Sequence, residues 1–298
     1  MKLIENPILL KLKLNNHMKK KIKNLILGKN GFFAKSLFED KYFNDCIFLS
    51  KEDFKNTNNL KRLKLKNIKI NNCLILFGIK KQYGDNYNNF KINQKIDKNL
   101  SNFIKMFMPK KIIYISSTEV YDIEQNKKIK LNLNSNVKPI SYYGLSKINS
   151  EFMISNICNQ SNIRFLIIRL PLVYGRYDKS NSYGPTNFIN SFLRNNLIKI
   201  WGKGDEYREF IYIQDFVNFI KIIFNRSKYG YINFVSGKSY SFIDVIKHLE
   251  FISTKKIIIK FLKRDRQKIN LFFAKDKFLS SIKFKFTPLN KGIEDFLK

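Results

Sequence analysis

The stretch IKNLILGKNGFFAKSLF, residues 22–38, constrains the fold more than any other part of this chain. An apolar run ends at Gly28, and GFFAKSLF then resumes with helical spacing, so a strand, a glycine turn and a helix follow one another. Further strand candidates recur at CIFLS (46–50), CLILF (73–77), KIIYIS (111–116) and IRFLIIRL (163–170). Helical patterns, INQKIDKNLSNFIKMF and YYGLSKINSEFMISNI, separate the later ones. Strands alternating with helices at this spacing predict an α/β fold built on a doubly wound parallel sheet with right-handed crossovers.

The alternation breaks after Arg169. A loop rich in Gly, Tyr, Ser and Asn (YGRYDKSNSYGPTN) leads into FINSFLRNN, IKIWG, DFVNFIKIIF, YINFVSG, SFIDVIKHLE and KIIIKFL. These pieces predict a smaller C-terminal substrate-binding lobe at the carboxyl edge of the sheet, where ligands of such folds bind. The expected organisation is an N-terminal extension over residues 1–20, a Rossmann-type domain over 21–171, and the lobe over 172–298, with segments about 211–238 returning to the sheet. Asp215 is expected to cap a helix starting at Phe216.

The 298 residues carry a formal charge of +33. Clustered cations of that number would point to nucleic acid, but here the lysines run from end to end among Asn, Ile and Phe. That distribution reads as a solvated surface that attracts small anions, so no nucleic-acid partner is expected. Cys46, Cys73 and Cys158 are far apart in or beside apolar stretches, and neither they nor His17 and His248 form a metal-binding spacing. No apolar run approaches the roughly 18 residues of a membrane span. The chain is expected to be a soluble, cytoplasmic protein without metal.

Gly28, Gly31 and Ala34 are spaced three apart in the turn. Glycine there permits φ > 0 and lets backbone N–H groups approach a pyrophosphate. Farther on, the second strand ends in Leu49-Ser50-Lys51, hydroxyl and cation, which leans the cofactor reading from NAD toward NADP. ISSTEVYD (115–122) puts hydroxyls at the carboxyl end of a strand. In SYYGLSK, Tyr143 and Lys147 lie at i and i+4 on one helix face. A free phenol has a pKa of about 10, and bringing it to about 7 takes roughly 4 kcal/mol. A neighbouring ammonium and an oxidised nicotinamide both favour the anion, so Tyr143 is a candidate base.

Together, GKNGFFA, ISSTEVYD, YYGLSK, RLPLVYG and REFIYIQDF, in this order, make residues 22–298 resemble the NAD-dependent epimerase/dehydratase family, the extended short-chain dehydrogenases that act on nucleotide sugars. The resemblance implies roles by position. Tyr143 would be the catalytic acid/base, Lys147 its ribose-binding partner, and Ser117, beside Thr118, the hydroxyl on the reacting sugar oxygen. Gly28, Gly31, Phe32 and Phe33 would form the pyrophosphate turn, with Gly78 beside the cofactor and Asn93 supporting that region. Arg208 and Arg264 would bind the phosphates of the nucleotide sugar.

The implied activity is NAD(P)-dependent chemistry at C4 of a nucleotide-diphosphate sugar, as a 4-epimerase or 4-keto reductase in surface-polysaccharide sugar biosynthesis, by a chain that could pair as a homodimer. Thr118-Glu119 replaces the Asp-Glu of the family's dehydratases, which argues against 4,6-dehydration while Glu119 keeps a base. Leu172 stands where many epimerases carry an asparagine, and Asp122 replaces the usual glycine after Tyr121. The alternative is a cofactor-binding regulatory or nucleic-acid-associated protein reusing the fold. Its support is the charge, and the Ser117, Tyr143 and Lys147 set weighs against it.

Overall fold

The computed structural model describes residues 22–54, 68–123, 130–179, 184–264 and 267–298. The extension expected over residues 1–20 lies outside the described residues. The chain opens with β1 (Ile22–Leu27), α1 (Phe32–Phe38) and β2 (Ile47–Leu49). It continues through β3 (Lys69–Ile75), α2 (Tyr87–Phe107), β4 (Lys111–Ser117), α3 (Tyr142–Gln160) and β5 (Arg164–Leu170). Next come β6 (Leu172–Tyr174), α4 (Pro185–Asn195), β7 (Leu197–Trp201), β8 (Tyr207–Arg208) and β9 (Phe210–Tyr212). The last elements are α5 (Ile213–Phe224), β10 (Gly230–Asn233), β11 (Tyr240–Ser241), α6 (Phe242–Ser253), β12 (Ile258–Leu262), α7 (Lys277–Ser281) and α8 (Leu289–Leu297).

Six strands form one parallel sheet in the order β2-β1-β3-β4-β5-β10. The winding reverses between β1 and β3, and in such sheets the crevice beyond the strand ends at that point receives ligands. Both faces of the sheet are covered, which is why its strands are apolar on alternate and intervening positions alike. Ile26, Leu74, Ile113 and Ile168 pack on one side with Phe216, Phe219 and Ile220 of α5. Leu25, Leu27, Cys73, Ile112 and Ile167 pack on the other with Leu100 and Ile104 of α2 and Ile154 of α3.

A second core lies over the carboxyl edge, where Phe188, Ile198, Phe210, Phe242 and Ile293 meet. Its strands pair as β6 with β9, β7 with β12 and β8 with β11. A capping box of Ser241 and Asp244 starts α6. Asp215 behaves otherwise than the sequence predicted. Helix α5 begins at Ile213 with Tyr212 as N-cap, and the Asp215 carboxylate accepts from the Thr287 N–H at 3.0 Å and hydroxyl at 2.7 Å. It ties α5 to the segment entering α8 instead of capping its own helix. Among the described residues no helix is long and apolar enough to cross a membrane, and no group of three or more His, Cys, Asp or Glu could hold a metal ion.

Candidate active site

Helix α3 starts where Ser141 accepts from the Gly144 N–H at 3.0 Å. Its first turn is pressed against the end of β4 because Gly144 has no side chain: a Cβ there would overlap the Glu119 carbonyl oxygen and lie 2.9 Å from Pro139 Cβ. This approach brings the half-buried Tyr143 phenol to the same cavity wall as Ser117, whose hydroxyl favours the phenolate. Ser117 Oγ already accepts from the Glu119 N–H at 3.2 Å, which leaves its hydroxyl hydrogen for the phenol oxygen.

One turn on, Lys147 is buried and donates to the Ile115 carbonyl at 2.8 Å and Tyr114 Oη at 3.2 Å. Its Nζ lies 5.8 Å from the centre of the Tyr143 ring. Gly78 sits against it with φ +137°, and a Cβ there would stand 3.4 Å from Lys147 Nζ. Asn93 fastens this loop: its Oδ1 accepts from the Ile79 N–H at 2.7 Å, and its Nδ2 donates to Ser146 of α3 at 3.2 Å.

A single cavity gathers most of the residues the sequence singled out. Phe32, Phe33 and Gly78 line it beside Ser117, Thr118, Tyr143 and Lys147, and Arg208 enters from the second lobe. Arg208 donates to the carbonyls of Tyr207 (2.9 Å) and Ile269, and its Nη2 is 3.7 Å from Glu206. Gly28 (φ +111°) and Gly31 shape the turn, with the Gly28 N–H bonded to the Leu49 carbonyl at 2.8 Å. Helix α1 then begins at Phe32 without a side-chain cap. Lys51, at the tip of β2, is exposed.

Two residues stand apart from the roles given them. Arg264 is not among the residues lining the cavity; it pairs with Asp205 at 3.1 Å and lies over Gly202. The Ser50 N–H and hydroxyl both bond to Asp53, at 2.7 and 3.1 Å.

The electrostatics run against one expectation. The sequence argument asked Lys147 to pull the Tyr143 phenol down, yet the chain's own groups push it up, through burial first and the Glu119 carboxylate second, with Ser117 acting the other way. The cause is visible in where the ammonium points, toward Ile115 and Tyr114. Lys147 itself is lowered to about 8 by burial, opposed by Asp97 and Glu151. Glu119 pairs with Lys81 at 2.8 Å at the rim.

The model of the NAD dependent epimerase/dehydratase family matches residues 43–234. The chain belongs to this family. Among curated epimerase/dehydratase relatives, dTDP-D-glucose 4,6-dehydratase of Dictyostelium discoideum is 31% identical over 159 residues, covering 50% of this chain and 36% of that protein. The uncharacterised UDP-glucose epimerase YtcB of Bacillus subtilis is 25% identical over 151 residues, covering 50% and 46%. The chain spans about half or less of the length of the curated relatives it matches, from 36% to 52%.

Solved structures share the fold. The UDP-N-acetylglucosamine 4-epimerase from Methanobrevibacter ruminantium M1, in complex with UDP-N-acetylmuramic acid, superposes with a TM-score of 0.77 at 20% identity, covering 94% of this chain and 98% of that one. RMD from Pseudomonas aeruginosa, complexed with NADPH, gives 0.79 at 18% identity, covering 92% and 97%.

Several residues in or beside this cavity were not picked out in the sequence. Gly144 left a signal, since glycine inside a helix needs a packing reason. Lys80, which pairs with Asp178 at 3.2 Å and lies 5.1 Å from the centre of the Phe32 ring, left none. Neither did Glu209, a buried carboxylate that accepts from the Ser236 and Gly237 N–H groups and is raised by burial to about 7. Charge runs in a lysine-rich chain look alike until the fold points some of them inward.

Proposed function

We propose that this chain is an NAD(P)-dependent enzyme that acts at C4 of a nucleotide-diphosphate sugar, as a 4-epimerase or a 4-keto reductase. The observation that carries this reading is one cavity lined by Ser117, Tyr143 and Lys147 together with Phe32, Phe33 and Arg208. The residues present fit a dinucleotide. Gly78 leaves open the space beside Lys147 that a Cβ would fill, and the turn at Gly28 and Gly31 leads into a helix whose first N–H groups have no side-chain cap. A bound dinucleotide supplies the hydride acceptor and donor.

The chain's own residues do the rest. Tyr143 exchanges a proton with the sugar 4-oxygen, and Ser117 holds that oxygen by hydrogen bonding. Lys147 orients the ribose, and the positive charge of an oxidised nicotinamide favours the phenolate against the upward push of burial and Glu119. Arg208 binds diphosphate oxygens with its planar fork.

A second reading, dehydration, draws on Glu119 in the cavity wall and on the Dictyostelium relative. Thermal shift with UDP-, GDP-, CDP- and dTDP-sugars, each with NAD or NADP, finds the ligand, since binding to the native state raises its apparent stability. Product analysis then separates the reactions: an epimerase leaves the cofactor unchanged overall, a reductase consumes it stoichiometrically, and a dehydratase releases water from the sugar. Stabilisation by no nucleotide sugar, together with steeply salt-dependent binding to random duplex DNA, would refute the enzymatic reading.

A further inference from the structure

On the sheet face covered by α2 and α3, a chain of buried polar groups runs away from the cavity, and none of the motifs contains it. Lys147 donates to Tyr114 Oη. Tyr114 and Lys147 line one small pocket with Ser150 and Asp97, and the Ser150 hydroxyl pulls the Tyr114 phenol downward against burial. Ser150 Oγ stands 2.8 and 2.9 Å from the two carboxylate oxygens of Asp97, and Asn149 Nδ2 donates to the same carboxylate at 3.0 Å. Tyr114, Ser150, Lys147 and Asp97 are 3%, 4%, 6% and 6% exposed, so water competes with none of these bonds.

A carboxylate at this position calls for a cause. Asp97 shares its buried stripe on α2 with Leu100 and Ile104, where an apolar side chain would satisfy the packing. A buried carboxylate is expensive unless a cation and hydrogen bonds answer it. Burial raises Asp97, while Ser150, Asn149 and Lys147 pull the other way. The titratable groups around Lys147 are Asp97 from α2, Tyr114 from β4, and Tyr143 and Glu151 from α3 itself. Glu151 already meets Arg169 of β5 at 2.7 Å and Ser116 at 2.5 Å. Asp97 is the carboxylate whose charge is left to match the lysine.

We propose that Asp97 is a positioning residue for Lys147, fixing the ammonium under Tyr143 across the small buried pocket that both line with Ser150 and Tyr114 and keeping it cationic. The proposal rests on the reading of Tyr143 and Lys147 as the proton-transfer pair, but the contact can be tested without turnover. Competitive trace acetylation of the full chain between about pH 6 and 11, with Lys147 read by peptide mass spectrometry, reports the midpoint at which that amine loses its proton. Asp97→Asn, which keeps the shape and the hydrogen-bond acceptor, should lower the midpoint by about one pH unit, and Asp97→Glu should restore it.

A folded Asp97→Asn protein with an unmoved midpoint overturns the proposal. If that variant does not fold, Asp97→Thr, which removes the charge and keeps a polar group, should also lower the midpoint, and no movement there is equally fatal. Once a substrate is in hand, Asp97→Asn should move the alkaline limb of kcat to lower pH with little change in KM; an unmoved limb counts against the role. Absence of turnover with every nucleotide sugar would sink the proposed function while leaving the labelling result to decide on Asp97.

Discussion

Tyr143 shares its cavity wall with Ser117, and its phenol is held upward by burial and by Glu119. A group in that state keeps its proton at neutral pH until positive charge arrives beside it. Tyr143→Phe should therefore lower kcat by about 10²- to 10⁴-fold while dinucleotide binding, followed by fluorescence titration, stays within error of the parent. Near-normal turnover would remove Tyr143 from the mechanism. Arg208 lines the cavity while its guanidinium rests on backbone carbonyls, so it is braced for an anion. Arg208→Ala should weaken nucleotide-sugar binding by about 10- to 100-fold in calorimetry and leave cofactor binding unchanged. Equal weakening of both ligands would show that the side chain braces the lobe instead.

At the scale of an element, α3 functions through its distance from β4. The glycine after Tyr143 lets the helix start within contact of the Glu119 carbonyl, and that contact decides whether phenol and serine meet. Gly144→Ala should force the first turn outward, since the atom in the way is backbone and does not rotate aside. Overpacking of this kind costs about 1–3 kcal/mol, and displacement of a reacting group lowers turnover by about 10²-fold. A protein with a modestly lowered melting temperature and strongly reduced kcat is the expected result. Full activity would mean that the helix start has slack.

For the molecule as a whole, buried ionisable groups set a pH dependence of stability that +33 of surface charge does not describe. Glu209 and Asp215 are raised to about 7 and about 6 in the folded chain, by burial in both cases. A carboxyl raised on folding binds more protons in the native state across that window, so its contribution is full below the unfolded value and is lost as pH rises through 6 and 7. Lys111 and Lys147 are lowered to about 8, again by burial first. Their penalty is full below that value and fades as pH rises above it. Urea midpoints should fall from about pH 5 to 7 and recover above about pH 8, and Glu209→Gln should flatten the descending limb. A midpoint that climbs steadily over the whole range would contradict this picture.

What the sequence by itself determined is local in origin: the apolar runs, the glycine turn after β1, the one-turn spacing of Tyr143 and Lys147, and from these the parallel sheet and the family. Periodicity and turn chemistry act over a few residues, and a reader of the string sees them directly. Only the tertiary structure decided which charges matter. It turned Asp215 toward Thr287, engaged Ser50 with Asp53, kept Arg264 with Asp205, and gathered Asp97 of α2, Tyr114 of β4 and Lys147 of α3 around one small pocket. Those pairings join segments far apart in the chain, and desolvation, which sets their strength, exists only once the segments have packed.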